Sequence, residues 1–166
     1  MKIFKEEQRF TQTLLITLMA ICFIIPLIII SKEFYNGKTQ ITEFIGVICL
    51  LLFASGFIFL FKLTTRIDEI GIHYQFIPFH LRLKTIKWSE INKMYVTKYD
   101  ALSEYGGWGL KSKSFWSKQK GKAINVSGNI GIQLELKNGK RLLIGTRQES
   151  NAKLVLDTYQ HKITQL

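Results

Sequence analysis

The chain has 166 residues, with 23 Lys/Arg against 12 Asp/Glu, a formal net charge of +11. Only two cysteines are present, Cys22 and Cys49, both inside apolar runs. A disulfide-stapled secreted scaffold is therefore excluded, and the thiols read as small hydrophobes in a chain suited to a reducing compartment. The charge is uneven: residues 1–61 carry five basic and four acidic side chains (net +1), and residues 62–166 carry eighteen and eight (net +10).

The first ten residues, MKIFKEEQRF, mix Lys2, Lys5 and Arg9 with Glu6 and Glu7. Leu14 to Ile30 is then uninterruptedly apolar, and with its edge residues it predicts a membrane span over about 12–30. Pro26 removes one backbone hydrogen bond there and is a candidate kink. A signal peptide is the competing reading of this run. The two acids ahead of it, and the lack of a small-x-small cleavage site in the SKEFYNG that follows, favour a retained helix. Ser31 to Gln40 is a polar connector with the turn pair Asn36-Gly37.

The second run, Ile41 to Phe61, holds one charge (Glu43) and no proline. A helix of that length measures about 31 Å, which matches a bilayer's hydrocarbon core. The two runs therefore predict a transmembrane helical hairpin over 1–62, with a folded domain over 63–166. Lys2, Lys5 and Arg9 before the hairpin, and Lys62 and Arg66 after it, outweigh Lys32 and Lys38 in the connector. By the positive-inside rule both termini are cytoplasmic.

From Leu63 the pattern turns to strands. TTRIDEIGIHYQF reads as two strands around a turn at Asp68–Gly71, with Pro78 closing the second. Further strands are expected at Arg82–Trp88, Ile91–Tyr99 and near Lys122–Val126. The clearest hairpin is Ile132–Leu136, Asn138-Gly139, Lys140–Ile144. Ala152, Val155, Leu156, Tyr159 and Ile163 then fall on one helical face. Thr146 with Glu149 has the form of a capping box, with Ser150 the alternative cap.

The order of these short motifs resembles the membrane-anchored bacterial pleckstrin-homology-like (PH-like) proteins. The resemblance is carried by Thr65-Arg66-Ile67, Gly71-Ile72, Phe76-Ile77-Pro78-Phe79, Ile86-Lys87-Trp88-Ser89-Glu90-Ile91, Glu104-Tyr105-Gly106-Gly107-Trp108-Gly109, Val126-Ser127-Gly128-Asn129, Asn138-Gly139-Lys140 and Leu143-Ile144-Gly145-Thr146. It spans about residues 60–160. It implies an α+β, mainly β, PH-like barrel of about seven antiparallel strands capped by a C-terminal helix. No ligand or catalytic set comes with it, because one fold hosts many functions.

The residues themselves give catalysis little support. His73, His80 and His161 stand apart without Cys or paired acids at metal-ligand spacing, and read as surface residues. Asp68-Glu69 reads as turn chemistry, and no nucleophile elbow, P-loop or dinucleotide fingerprint occurs. The expectation is a non-enzyme with no catalytic residues, metal or cofactor. In Gly106–Gly109 the glycines read as a bulge with Trp108 in the core, or else as a close-approach ligand site.

The sharpest binding candidate is KSKSFWSKQKGK: Lys111, Lys113, Lys118, Lys120 and Lys122, with Phe115 and Trp116 among them and no acid. Lysines of this density attract an anionic leaflet while the aromatics favour its interface. A solvated hairpin loop fits the same residues. Two functions follow: an anchored interaction module with a protein partner, or an anionic-phospholipid sensor. Nucleic acid is disfavoured for want of a recognised binding motif.

Overall fold

The structure is a computed structural model and describes residues 2–111 and 121–164. Two helices, α1 (Thr13–Tyr35) and α2 (Ile41–Phe57), form one unit with the short 3-10 turn Ile58–Leu60. Both are long and apolar enough to cross a membrane. Neither buries a single residue against the protein. A soluble core helix of this composition would be covered by its neighbours, whereas the apolar surface of these two is left uncovered. α1 runs through Pro26 and continues to Tyr35, past the expected end at residue 30. Glu43, the one charge in the second run, accepts from the Gln40 amide at 3.2 Å and so caps the start of α2. Beside the connector, Phe34 stacks on Phe44 with centroids 4.5 Å apart.

The second unit joins residues 1–9 to residues 62–166. Its first strand, β1 (Phe4–Arg9), lies in the stretch that the sequence assigned to the anchor. It pairs antiparallel with β2 (Lys62–Ile67) along its full length, from Phe4↔Ile67 to Arg9↔Lys62. β3 (Gly71–Ile77) and β4 (Lys84–Lys87) complete a four-stranded sheet in the order β1-β2-β3-β4. The Ile77-Pro78 peptide that ends β3 is cis.

The second sheet contains β5 (Ile91–Lys98), β6 (Gly109–Lys111), β7 (Lys122–Asn125), β8 (Ile130–Leu136) and β9 (Arg141–Gly145), in the order β5-β8-β9-β7-β6. The resemblance implied one closed barrel of about seven antiparallel strands. The described residues form nine strands in two open sheets instead, and β7 runs parallel to β9. The sheets part at the 3-10 turn Trp88–Glu90, where Glu90 accepts from the Lys87 amide at 2.9 Å and breaks the ladder. β4 thus stays with β3, and β5 pairs with β8.

The β8–β9 hairpin forms as the sequence indicates. Asn138 accepts from the Lys140 amide at 3.0 Å, and Gly139 adopts φ 76°, which the tight turn demands. A short helix, α3 (Ala101–Tyr105), begins at Asp100, whose carboxylate caps the Leu102 and Ser103 amides. The helix α4 (Glu149–Tyr159) buries Ala152, Val155, Leu156 and Tyr159, and α5 (His161–Thr164) follows it.

Both sheets and α4 contribute buried apolar side chains. Ile67, Ile72 and Phe76 from the first sheet, Ile91, Ile132, Leu134 and Ile144 from the second, and Leu156 from α4 are all essentially inaccessible. Trp88 stacks on Tyr159 at 5.1 Å and donates to the Asp68 and Glu69 carbonyls. Tyr159 in turn donates to the Lys2 carbonyl at 2.7 Å, tying the helix to the chain's first residues. Thr146 does not build the expected capping box. Its hydroxyl donates to Glu6 at 2.6 Å and accepts from the Gln148 amide at 3.1 Å.

A basic cleft across the two sheets

Polar pairing inside the domain gives partners to Glu6, Asp68 and His73, which the sequence left without a role. β1 turns Phe4, Glu6 and Gln8 inward and Lys5, Glu7 and Arg9 outward. A buried carboxylate and amide need partners, and both find them 130 or more residues away. Glu6 accepts from the Thr146 hydroxyl and, at 2.8 Å, from the Arg147 amide. Gln8 donates to the Gly145 carbonyl at 2.8 Å. Arg147 extends the network to the Ser127 hydroxyl at 2.6 Å and the Arg9 carbonyl at 3.3 Å.

His73 departs from the surface position expected of it. It is 8% exposed, and its ring bridges Asp68 (3.0 Å) and the Thr85 hydroxyl (2.8 Å). Thr85 is its cross-strand partner, so the chain Asp68–His73–Thr85 ties the β2–β3 turn to β4. Burial by itself would raise the Asp68 pKa. Its hydrogen bonds from His73 and the Ile70 amide, with the charges of His73 and Arg66, outweigh that and lower it. Arg66 lies 3.0 Å from the second carboxylate oxygen.

Trp108 is not in the core. It is 37% exposed and donates to the Gly128 carbonyl at 3.3 Å. Gly106 ends α3 in the left-handed conformation, so the glycines here serve chain reversal.

Of the basic loop, Lys111 ends β6 and Lys122 begins β7. Lys113, Phe115, Trp116, Lys118 and Lys120 lie outside the described residues. Lys122 belongs to a feature that no single stretch of sequence announces. A cleft of about 780 Å³ opens where the first sheet meets the turn end of the second. Its apolar floor comes from Tyr74 and Ile86 on one sheet and Leu136 and Leu142 on the other. Its rim carries Lys122, Lys140 and Arg141, and among the described residues no carboxylate lines it. Arg141 leans toward Glu135 at 3.5 Å.

No family model and no curated protein matches this chain. The cleft has to be read from its own chemistry.

Three local constraints fix the cleft. Lys122 pairs with Leu142 in the parallel β7–β9 ladder. Gly121 ahead of it sits at φ +79° against the Arg141 backbone, where any Cβ would collide with the Arg141 carbonyl. On the facing sheet Tyr74 pairs with Lys84 across β3–β4, and its ring centroid lies 5.7 Å from that of His80. His80 is half-buried, and its Nδ1 has no partner among the described residues. Burial, followed by the charges of Lys84 and Lys122, lowers its pKa. Sequence reasoning missed the assembly because its members come from β3, β4, β7 and the β8–β9 turn. Besides Lys122, the Lys140-Arg141 pair after Asn138-Gly139 was the local signal.

Proposed function

We propose that this chain is a non-catalytic membrane protein whose helical hairpin displays a PH-like interaction domain on the cytoplasmic face of a bacterial cell membrane. The observation that carries this reading is the β1–β2 ladder. The residue before the hairpin, Arg9, is the cross-strand neighbour of the residue after it, Lys62. A chain that leaves a folded unit and returns to the same strand pair must cross the membrane an even number of times. Two spans satisfy that condition. A cleaved leader would remove β1 together with Glu6 and Gln8, leaving the Thr146 hydroxyl and the Gly145 carbonyl without these buried partners.

The Lys/Arg excess on the terminal side of the hairpin orients the domain inward. The PH-like assignment draws on the two sheets followed by a packed C-terminal helix, in the motif order described above. The Asp68–His73–Thr85 chain is assigned a structural role, because Thr85 and His73 are a register pair that locks two strands. The domain's task is to hold a partner next to the bilayer, protein or anionic phospholipid. A periplasm-active reporter inserted at Asn36 should be active, and the same reporter fused after Leu166 silent. The reverse pattern would reject the placement.

A further inference from the structure

We propose that the cleft between Tyr74 and Lys122 binds a phosphate group carried on a small organic body, with Lys122 and Lys140 as its cationic contacts. Five observations converge on this. The cleft's size, about 780 Å³, lies within the range of small-molecule sites. Among the described residues its lining pairs an apolar floor with cations and has no acid, the composition that accepts an anionic head on an apolar or sugar-like body.

Lys84, Lys122 and Lys140 have no carboxylate partner among the described residues, so their charge is available to an incoming anion. The cations are also preorganised: Lys122 is held in the β7–β9 ladder behind the constrained Gly121, and Lys140 sits in the Asn138-Gly139 turn. Behind the lining residue Tyr74, the His80 ring has a buried nitrogen without a partner among the described residues, and a phosphate bound in the cleft would favour its protonated form.

Two sources supply this chemistry, a phosphomonoester lipid headgroup and a soluble phosphorylated molecule. The inference uses the anchored-module reading only for the first of them. The soluble arm tests the cleft even if the membrane placement fails.

The experiment uses the full chain in nanodiscs with 13C-labelled histidine, following the His80 ring resonance, which a His80→Gln variant assigns. One arm titrates inorganic phosphate and glycerol phosphate into phosphatidylcholine discs. The other compares phosphatidylcholine discs with discs containing phosphatidic acid. A saturable shift of His80 with a raised pKa is expected in at least one arm. Lys122→Gln with Lys140→Gln should weaken it about 30-fold, while Lys98→Gln with Lys153→Gln, exposed lysines on β5 and α4, should leave it unchanged. All these side chains are exposed, and backbone amide spectra report retained folding. A response in the lipid arm alone identifies a headgroup, and one in the soluble arm alone a soluble ligand. No saturable shift in either arm, or an equal shift in the Lys122/Lys140 variant, overturns the proposal.

Discussion

Replacing Glu6 with Ala tests whether the N-terminal strand is an integral part of the domain. Glu6 is 5% exposed, and its two oxygens accept from the Thr146 hydroxyl at 2.6 Å and the Arg147 amide at 2.8 Å. Hydrogen bonds to a charged acceptor contribute about 1.5–3 kcal/mol each, and a buried donor left unpaired costs a comparable amount. Thr146 can reorient, since it already accepts from the Gln148 amide. The Arg147 amide cannot. The expected loss is therefore about 2–5 kcal/mol. For a unit of this size that lowers Tm by roughly 10–20 °C. Glu6→Gln keeps one acceptor oxygen and should lose less than half as much. The assay is thermal unfolding of the full chain in detergent micelles, followed by near-ultraviolet circular dichroism, with Glu7→Ala as the partner control. Glu7 faces outward and pairs with Lys62 at 2.8 Å in a solvent-screened ion pair, so its loss should barely move the melting transition. If Glu6→Ala and Glu7→Ala melt alike, β1 is not anchored and the reasoning fails.

Other outcomes follow from the same geometry. Asp68 has a lowered pKa in the folded state, so its stabilisation is complete above the unfolded value of about 3.9 and disappears as pH falls through the folded one. The stability gap between wild type and Asp68→Asn in urea should therefore shrink below about pH 4, and a gap that is constant from pH 5 to pH 2 would refute this. Burial first, then the charges of Glu104, Tyr99 and Tyr95, push the Tyr105 phenol up to about 12. Its stabilisation should be present below about pH 10 and decline as pH rises toward 12, with phenolate absorbance lagging that of an unfolded control. Leu156→Asp places an unpaired charge in the core beneath α4 and should abolish cooperative unfolding, whereas Leu154→Asp, on the exposed face, should be tolerated.

The parts of this architecture legible in the sequence are those governed by local period. Two apolar runs gave the helices, Asn138-Gly139 between alternating segments gave the β8–β9 hairpin, and the Ala152–Tyr159 spacing gave α4. β1 was illegible for a physical reason. Its inward positions Glu6 and Gln8 are polar, so FKEEQR shows no apolar alternation, and the partners that make those residues acceptable lie beyond residue 140. His73 was misplaced on the surface because the carboxylate that satisfies it reaches back across a turn. The separation into two sheets depends on one capped 3-10 turn, Trp88–Glu90, whose effect on pairing is a tertiary matter. The cleft was legible only in part, since Lys122 was a candidate residue, while Tyr74, Ile86 and Lys140 join it through pairing between distant strands.

The pairing of β1 with β2 is the claim on which the rest depends, and a cross-link in native membranes tests it most directly. Glu7 and Thr64 are register partners, with Cα atoms at the ~5 Å separation that a disulfide bridges. In a chain with Cys22 and Cys49 replaced by Ala, Glu7→Cys with Thr64→Cys should form an oxidant-dependent intramolecular disulfide as readily as the control pair Tyr95→Cys with Gln133→Cys on β5 and β8. Full cross-linking of both pairs is the predicted result. Cross-linking of the control pair alone would show that the N-terminal strand does not belong to the domain, and would contradict the account.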